Sequence, residues 1–322
     1  MKLAAARQAL FVGLSVAACA PAPHAQPQIA PMRAIIDAPP PRLPTPDARA
    51  RVNATPARAP AGRACGALDC RAFATPGAAF DYVLESEPRV LAVGEAHAQD
   101  STPGIASCTR RFAEQLLPKL AGKAKHLVIE LLLANCKRQT TDAVKEQQAA
   151  VTEHQAKSNQ NEFVTLGKVA QRLGIEPQGL TPDCPEYEAV VAAGESGIAR
   201  LLTLVADQSA KEVETLLTKT SDQELVITYG GALHNDLNPR PGQEAWSFGP
   251  RLAAATQNRY LELDLIVPEF MKDNEAWRNL PWFAAFDREH LSSEALLYQP
   301  APRSFVLIFP KTERSLTPAA VR

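Results

Sequence analysis

After Arg63, short apolar runs alternate with amphipathic stretches along the chain. "VLAV" at 90–93, "KHLVIELLL" at 125–133, "ELVITYGG" at 224–231, "RYLELDLIV" at 259–267 and "SFVLIFP" at 304–310 read as buried strands, with a short strand at Glu176–Leu180. Between them the spacing turns helical. Phe80, Val83 and Leu84 follow a Thr75-Pro76 start. Ile105, Cys108, Phe112, Leu116 and Leu120 share one side of a helix over 105–120 that Pro118 should bend or shorten. Phe163, Leu166, Val169 and Leu173 mark another, and a long helical region runs from about Glu186 to Leu217. Residues 138–160 permit a helix but are very polar, which suits a surface excursion or a lid. Strands alternating with helices predict an α/β domain over 63–322, with a mainly parallel central sheet flanked by helices. No internal repeat shows.

The first sixty residues follow different rules. Lys2 and Arg7 precede an apolar stretch, Ala9–Ala18, that ends at Cys19. This has the layout of a secretory signal (1–18) and is short for a membrane span. "LSVAAC" resembles the bacterial lipobox, which implies lipidation at Cys19; ordinary signal-peptidase cleavage, discarding the cysteine, is the alternative. Ala20 in place of Asp implies, by the same resemblance, outer-membrane anchoring in the cell envelope. Residues 19–62 are Ala/Pro-rich with few large apolar side chains, as expected of an extended, disordered linker. Its arginines either touch anionic lipid or peptidoglycan or simply keep it solvated. With a net charge of −1 over 322 residues, no general basic field invites nucleic acid.

Beyond Cys19 stand Cys65, Cys70, Cys108, Cys136 and Cys184. Outside the cytoplasm these can pair, and Cys65 and Cys70 are close enough in "CGALDC" to close a small loop. An odd number leaves a thiol over, free or bonded between molecules as in a homodimer. The absence of CxxC and CxxCH argues against a zinc ribbon or a covalently held c-type haem.

Candidate chemistry lies where strands end, because open α/β sheets bind ligands beyond their carboxyl ends. "VLAVGEAH" delivers Glu95 and His97, "HLVIELLL" carries Glu130 within an apolar run, and "ITYGGALHND" leads through Tyr229 and two glycines to His234. A carboxylate inside a strand must be paired, hydrogen-bonded or on a metal. Each residue also has a structural reading: Glu95 as a helix cap, Glu130 as a satisfied core carboxylate, His234 as a turn histidine. Together, two imidazoles and two carboxylates suit a divalent ion such as Mn, Co or Zn, with one Glu left as general base on bound water. Glu262 and Asp264 alternate with apolar residues, which predicts the solvent side of a strand. Arg110 and Arg111 follow Glu95 on a helix, either solvated or reaching an anionic partner. His126 is expected at the opposite end from the site, and His154 and His290 at the surface.

Gly94-Glu95-Ala96-His97, the in-strand Glu130 and Gly231-Ala232-Leu233-His234 resemble, in order and strand context, the motifs of the erythromycin esterase / ChaN-like / Tiki superfamily. The resemblance spans roughly residues 88–240. It implies an α/β fold with these residues at one sheet edge, and a metal site of Glu95, His97, Glu130 and His234. It also implies either a membrane-tethered, metal-dependent hydrolase of peptide or ester bonds, or a non-catalytic haem- or iron-binding lipoprotein. In the haem case Tyr229 or His234 would be the axial ligand. The ligand expected is a small molecule or peptide.

Overall fold

In the computed structural model the apolar runs become the middle of one nine-stranded sheet; residues 61–133, 135–288 and 293–312 are described. The signal-like segment, Cys19, nearly all of the linker and His290 lie outside them. The chain order is β1 (Arg63–Ala64), β2 (Arg71–Phe73), α1 (Pro76–Leu84), β3 (Val90–Glu95), α2 (Cys108–Arg111), β4 (Ala124–Leu132), α3 (Arg138–Thr152), α4 (Asn159–Arg172) and β5 (Glu176–Leu180). There follow α5 (Cys184–Ala192), α6 (Gly197–Leu217), β6 (Leu225–Gly231), α7 (Gly249–Ala255), β7 (Tyr260–Ile266), α8 (Glu275–Arg278), β8 (Ala295–Ala301) and β9 (Ser304–Ile308).

The sheet order is β1-β2-β8-β9-β7-β3-β6-β4-β5. From β9 to β5 all neighbours are parallel, whereas β8, β2 and β1 add an antiparallel margin. The fold is therefore α/β with a mostly parallel sheet flanked by helices. Leu91, Val93, Ile129, Ile227 and Leu263 point to one face, against Phe80 of α1, Phe112 and Leu116 beyond α2, and Phe163 and Leu166 of α4. Val90, Ala92, Val128 and Val226 point to the other, against Val205 and Val213 of α6 and Leu252 of α7. Both faces are covered, so the central strands read as continuous apolar runs.

Local chemistry explains the element ends. The Thr75 side chain accepts from Ala78 N–H with Pro76 opening α1, and Asp183 and Glu186 form a reciprocal capping box at α5. The helix expected over 105–120 starts later, at Cys108 behind a Ser107 cap, then loosens into a π-helical turn at Phe112–Leu116 and a 3₁₀ turn at Leu117–Leu120. The predicted long helix over 186–217 is broken at Gly194–Ser196 into α5 and α6. Disulfides join Cys65 to Cys70 and Cys136 to Cys184, and Cys108 is a buried free thiol. Among the described residues no single helix is long and apolar enough to cross a membrane.

Two adjacent parallel strands define the place for a ligand. After β3 the chain passes to α2 on one face; after β6 it passes to α7 on the other. Neighbouring strands whose outgoing connections part in this way open a crevice at their carboxyl ends.

Candidate functional site

The residues singled out in the sequence do meet at that crevice, but in distinct layers. By strand alternation Glu95 falls on the α2 face and Glu130 on the α6 face. Glu95 is buried and fully occupied. Its Oε1 lies 2.7 Å from His97 Nδ1, and its Oε2 accepts hydrogen bonds from the Thr109 and Tyr229 hydroxyls, each at 2.6 Å. Tyr229 itself is sealed between Phe112 and Phe163, with ring centroids at 5.0 and 5.9 Å, and burial beside Glu95 pushes its phenol well above the ordinary value. A carboxylate with such partners is held by the fold and has no open oxygen for a metal.

His97 is the group Glu95 serves. Burial pulls its pKa down, but the hydrogen bond to Glu95 and the charges of Glu95 and Glu130 outweigh that, leaving it above the ordinary 6.5. With Nδ1 engaged, Nε2 is the free atom, and it lies 3.1 Å from the point a Cβ on Gly231 would occupy. Glu130 Oε2 is 3.7 Å from that same point and accepts the Gly231 N–H at 2.7 Å. A Cβ at 231 would crowd the space they share, and His97 would have to give by a few tenths of an ångström to admit it.

His234 completes the group. The short turn Gly231–His234 brings it back over the strand ends, where its Nδ1 is 2.7 Å from the Trp246 carbonyl and its Nε2 is 3.7 Å from Glu130 Oε1. The loop is fixed by Asn235, whose amide donates to Ala92 O at 3.2 Å on β3 and to Asp264 Oδ1 at 3.0 Å on β7. The Tyr260 hydroxyl donates to the Asn235 carbonyl, and Glu262 accepts Leu237 N–H at 2.8 Å.

Two expectations change here. Glu262 and Asp264 do not face solvent. Glu262 is buried and Asp264 half-buried against the His234 loop, because β7 lies inside a sheet covered on both sides. Burial lifts the Glu262 carboxyl well above the carboxylate range and the Asp264 carboxyl to about 7. Arg110 keeps the solvated face expected of it, paired with Glu114 at 2.9 Å, whereas Arg111 is neither solvated nor paired with Glu95: it is buried, donating to Ala106 O, Pro310 O and Thr312. His126 lies within β4, near Glu176 at the far end from the site as expected, and His154 is exposed. Thr109, Asn235 and Asp264 are the site residues sequence reasoning missed. The "HND" string was the one available signal, for Asn235.

The open atoms of the group are His97 Nε2, His234 Nε2 and Glu130 Oε1. They match a divalent ion in kind, with each imidazole's Nδ1 held by a partner as metal-binding histidines require. In spacing they are looser: among the described residues no three His, Cys, Asp or Glu side chains are grouped closely enough to hold an ion. Of the two residues expected for a haem, Tyr229 spends its hydroxyl on Glu95 on the α2 face, and the cleft beside His234 has room at its depth for a group about the size of one water.

No protein-family model matches the chain, and no curated protein matches it. Among solved structures it is similar to the structure of the type III effector HopBA1, at 12% identity and a TM-score of 0.36, over 76% of this chain and 98% of that one.

Proposed function

We propose that the protein is a hydrolase, tethered to the cell envelope through Cys19, that activates water against a peptide or ester bond at the His97–Glu130–His234 edge. The observation that carries this reading is the disposition of Glu95. A carboxylate fixed by two hydroxyls and bonded to His97 Nδ1 leaves His97 Nε2 as an oriented base at a strand-end crevice. In the step, Nε2 takes a proton from water while Glu95 stabilises the imidazolium. The His97 imidazolium then returns that proton to the leaving group, while His234, its Nδ1 proton held by the Trp246 carbonyl, presents Nε2 as an acceptor that orients the attacking water from the facing side. The likeness of the "GEAH", Glu130 and "GALH" motifs to the erythromycin esterase / ChaN-like / Tiki superfamily supports a hydrolytic role.

A metal-assisted version is favoured by one observation, that both histidines have Nε2 free and turned to Glu130. In that version His97, His234 and Glu130 would hold a divalent ion, Glu95 would orient His97 from behind, and the ion would supply Lewis-acid activation of water. The test is elemental analysis of the full chain beside a panel of ester and peptide substrates, with and without chelator, for parent and His97→Ala/His234→Ala. Hydrolysis lost in the variant is expected. Near-stoichiometric metal together with chelator sensitivity selects the metal-assisted form, and chelator-resistant hydrolysis without metal selects the Glu–His base. Turnover unchanged in the variant refutes both.

A further inference from the structure

Beneath His234 the sheet has a patch without side chains. Gly94 of β3 and Gly230 of β6 are register partners, and polar oxygens fold down onto both. The Glu130 carboxylate occupies the Cβ position of Gly230. At Gly94 the position lies 2.5 Å from Asn235 Oδ1 and 2.6 Å from Asp264 Oδ1. Two buried oxygens are left without a hydrogen-bond partner here, Asn235 Oδ1 and Thr228 Oγ1, on residues only 1% and 3% exposed. Both residues line the same cleft as Glu130, Ser209, His234 and Phe248, and at its depth there is room for a group about the size of one water. Buried unpartnered oxygens cost folding energy unless something bonds them.

What fits is set by the kind of atoms present. Glu130 and Asn235 Oδ1 can only accept as they stand, Asp264 already accepts the Asn235 amide, and Asp236 adds negative charge behind it. An anion is repelled and a guanidinium is too large; a water can take the Thr228 proton and bond Asn235 Oδ1, but it brings no positive charge to answer the Glu130 carboxylate. A primary ammonium has three donors and no acceptor, at the size of a water. We propose that this cleft is a subsite for a primary ammonium group, held by the Glu130 carboxylate, the Asn235 amide oxygen and the Thr228 hydroxyl oxygen. The proposal rests on the hydrolytic reading of the adjoining edge and names its substrate class: molecules with a free amine beside the scissile bond.

The test needs no turnover. The full chain, ¹⁵N-labelled, is titrated with methylammonium, tetramethylammonium and sodium at fixed ionic strength. Methylammonium should shift the amides of Gly94, Gly230 and Gly231 with a Kd on the order of 10 mM, the range for a ligand of two heavy atoms. Tetramethylammonium and sodium should not. Thr228→Val keeps the side-chain shape while removing the unpaired hydroxyl, so it should fold, and it should weaken binding about fivefold. No response at these glycines by about 100 mM, an equal response to tetramethylammonium or sodium, or unchanged binding in Thr228→Val overturns the subsite. Methylammonium binding retained in a chain that hydrolyses nothing would sink the catalytic reading while leaving the ammonium site standing.

Discussion

Replacing Tyr229 by Phe removes one atom from the molecule and tests the central claim about Glu95. The ring keeps its packing against Phe112 and Phe163; what goes is the 2.6 Å hydrogen bond to a buried carboxylate oxygen. Hydrogen bonds to charged groups contribute about 1.5–3 kcal/mol. For a domain of this size about 2 kcal/mol lowers Tm by roughly 4–8 °C. Thr109→Val removes the other donor to the same oxygen and should cost a similar amount. The double variant leaves Glu95 Oε2 buried with neither donor, so its cost should exceed the sum of the two. Urea unfolding at pH 7.5, followed by circular dichroism and tryptophan fluorescence, measures all four proteins, and equal m-values would license the comparison. A Tyr229→Phe cost below about 0.5 kcal/mol, or strict additivity in the double variant, would refute the idea that the two hydroxyls hold Glu95 as a charged partner for His97.

Further outcomes follow from the same structure. Opening the Cys136–Cys184 disulfide, which spans 48 residues, should cost about 4 kcal/mol by loop-closure entropy, and opening Cys65–Cys70, spanning 5, about 2; denaturation of the Cys→Ser pairs checks the ranking. Because His97 titrates above 6.5 in the folded chain, hydrolysis should rise with pH through that raised value, and Glu95→Gln should move the rise downward. The same shift adds stability that is complete below 6.5 and fades as pH climbs through the folded value. Parent and Glu95→Gln should therefore converge in stability at alkaline pH as far as His97 is concerned. Gly94→Ala should destabilise by about 1–3 kcal/mol, because its Cβ would stand 2.5–2.7 Å from Asn235, Asp264 and Ala232. Activity should fall further than stability explains, since the His234 loop must lift; an Ala variant as active and stable as the parent would contradict this.

The central strands were legible because burial on both faces writes them as unbroken apolar runs. β5 was found with both its ends, and β3, β7 and β9 within a few residues. β1, β2 and β8 were not, since the first two are very short and "ALLYQPA" carries a polar pair and a proline that look like loop. Alternation misled at β7, where Glu262 and Asp264 imitate a solvated face although the strand lies between β3 and β9. Their burial depends on the loop after β6 folding over them, a contact between distant parts of the chain that no local pattern records. The meeting of Glu95, His97, Glu130 and His234 at one edge was visible from strand ends alone. Their division into a supporting carboxylate and an open trio was not, because it depends on Thr109 and Tyr229 reaching Glu95.

The polar excursion ends by docking onto the loop that carries His97. Asp100 N–H donates to His154 O at 3.1 Å, and Ala156 N–H donates to Ala98 O at 2.8 Å, while Gln99 and Gln155 form an isolated antiparallel bridge. These stitches are between main-chain atoms, which every residue but proline supplies alike. The exposed side chains of Glu153, His154, Lys157 and Ser158 can therefore drift over generations without moving the histidine. Lineages could diversify the rim beside His97 while inheriting its position unchanged.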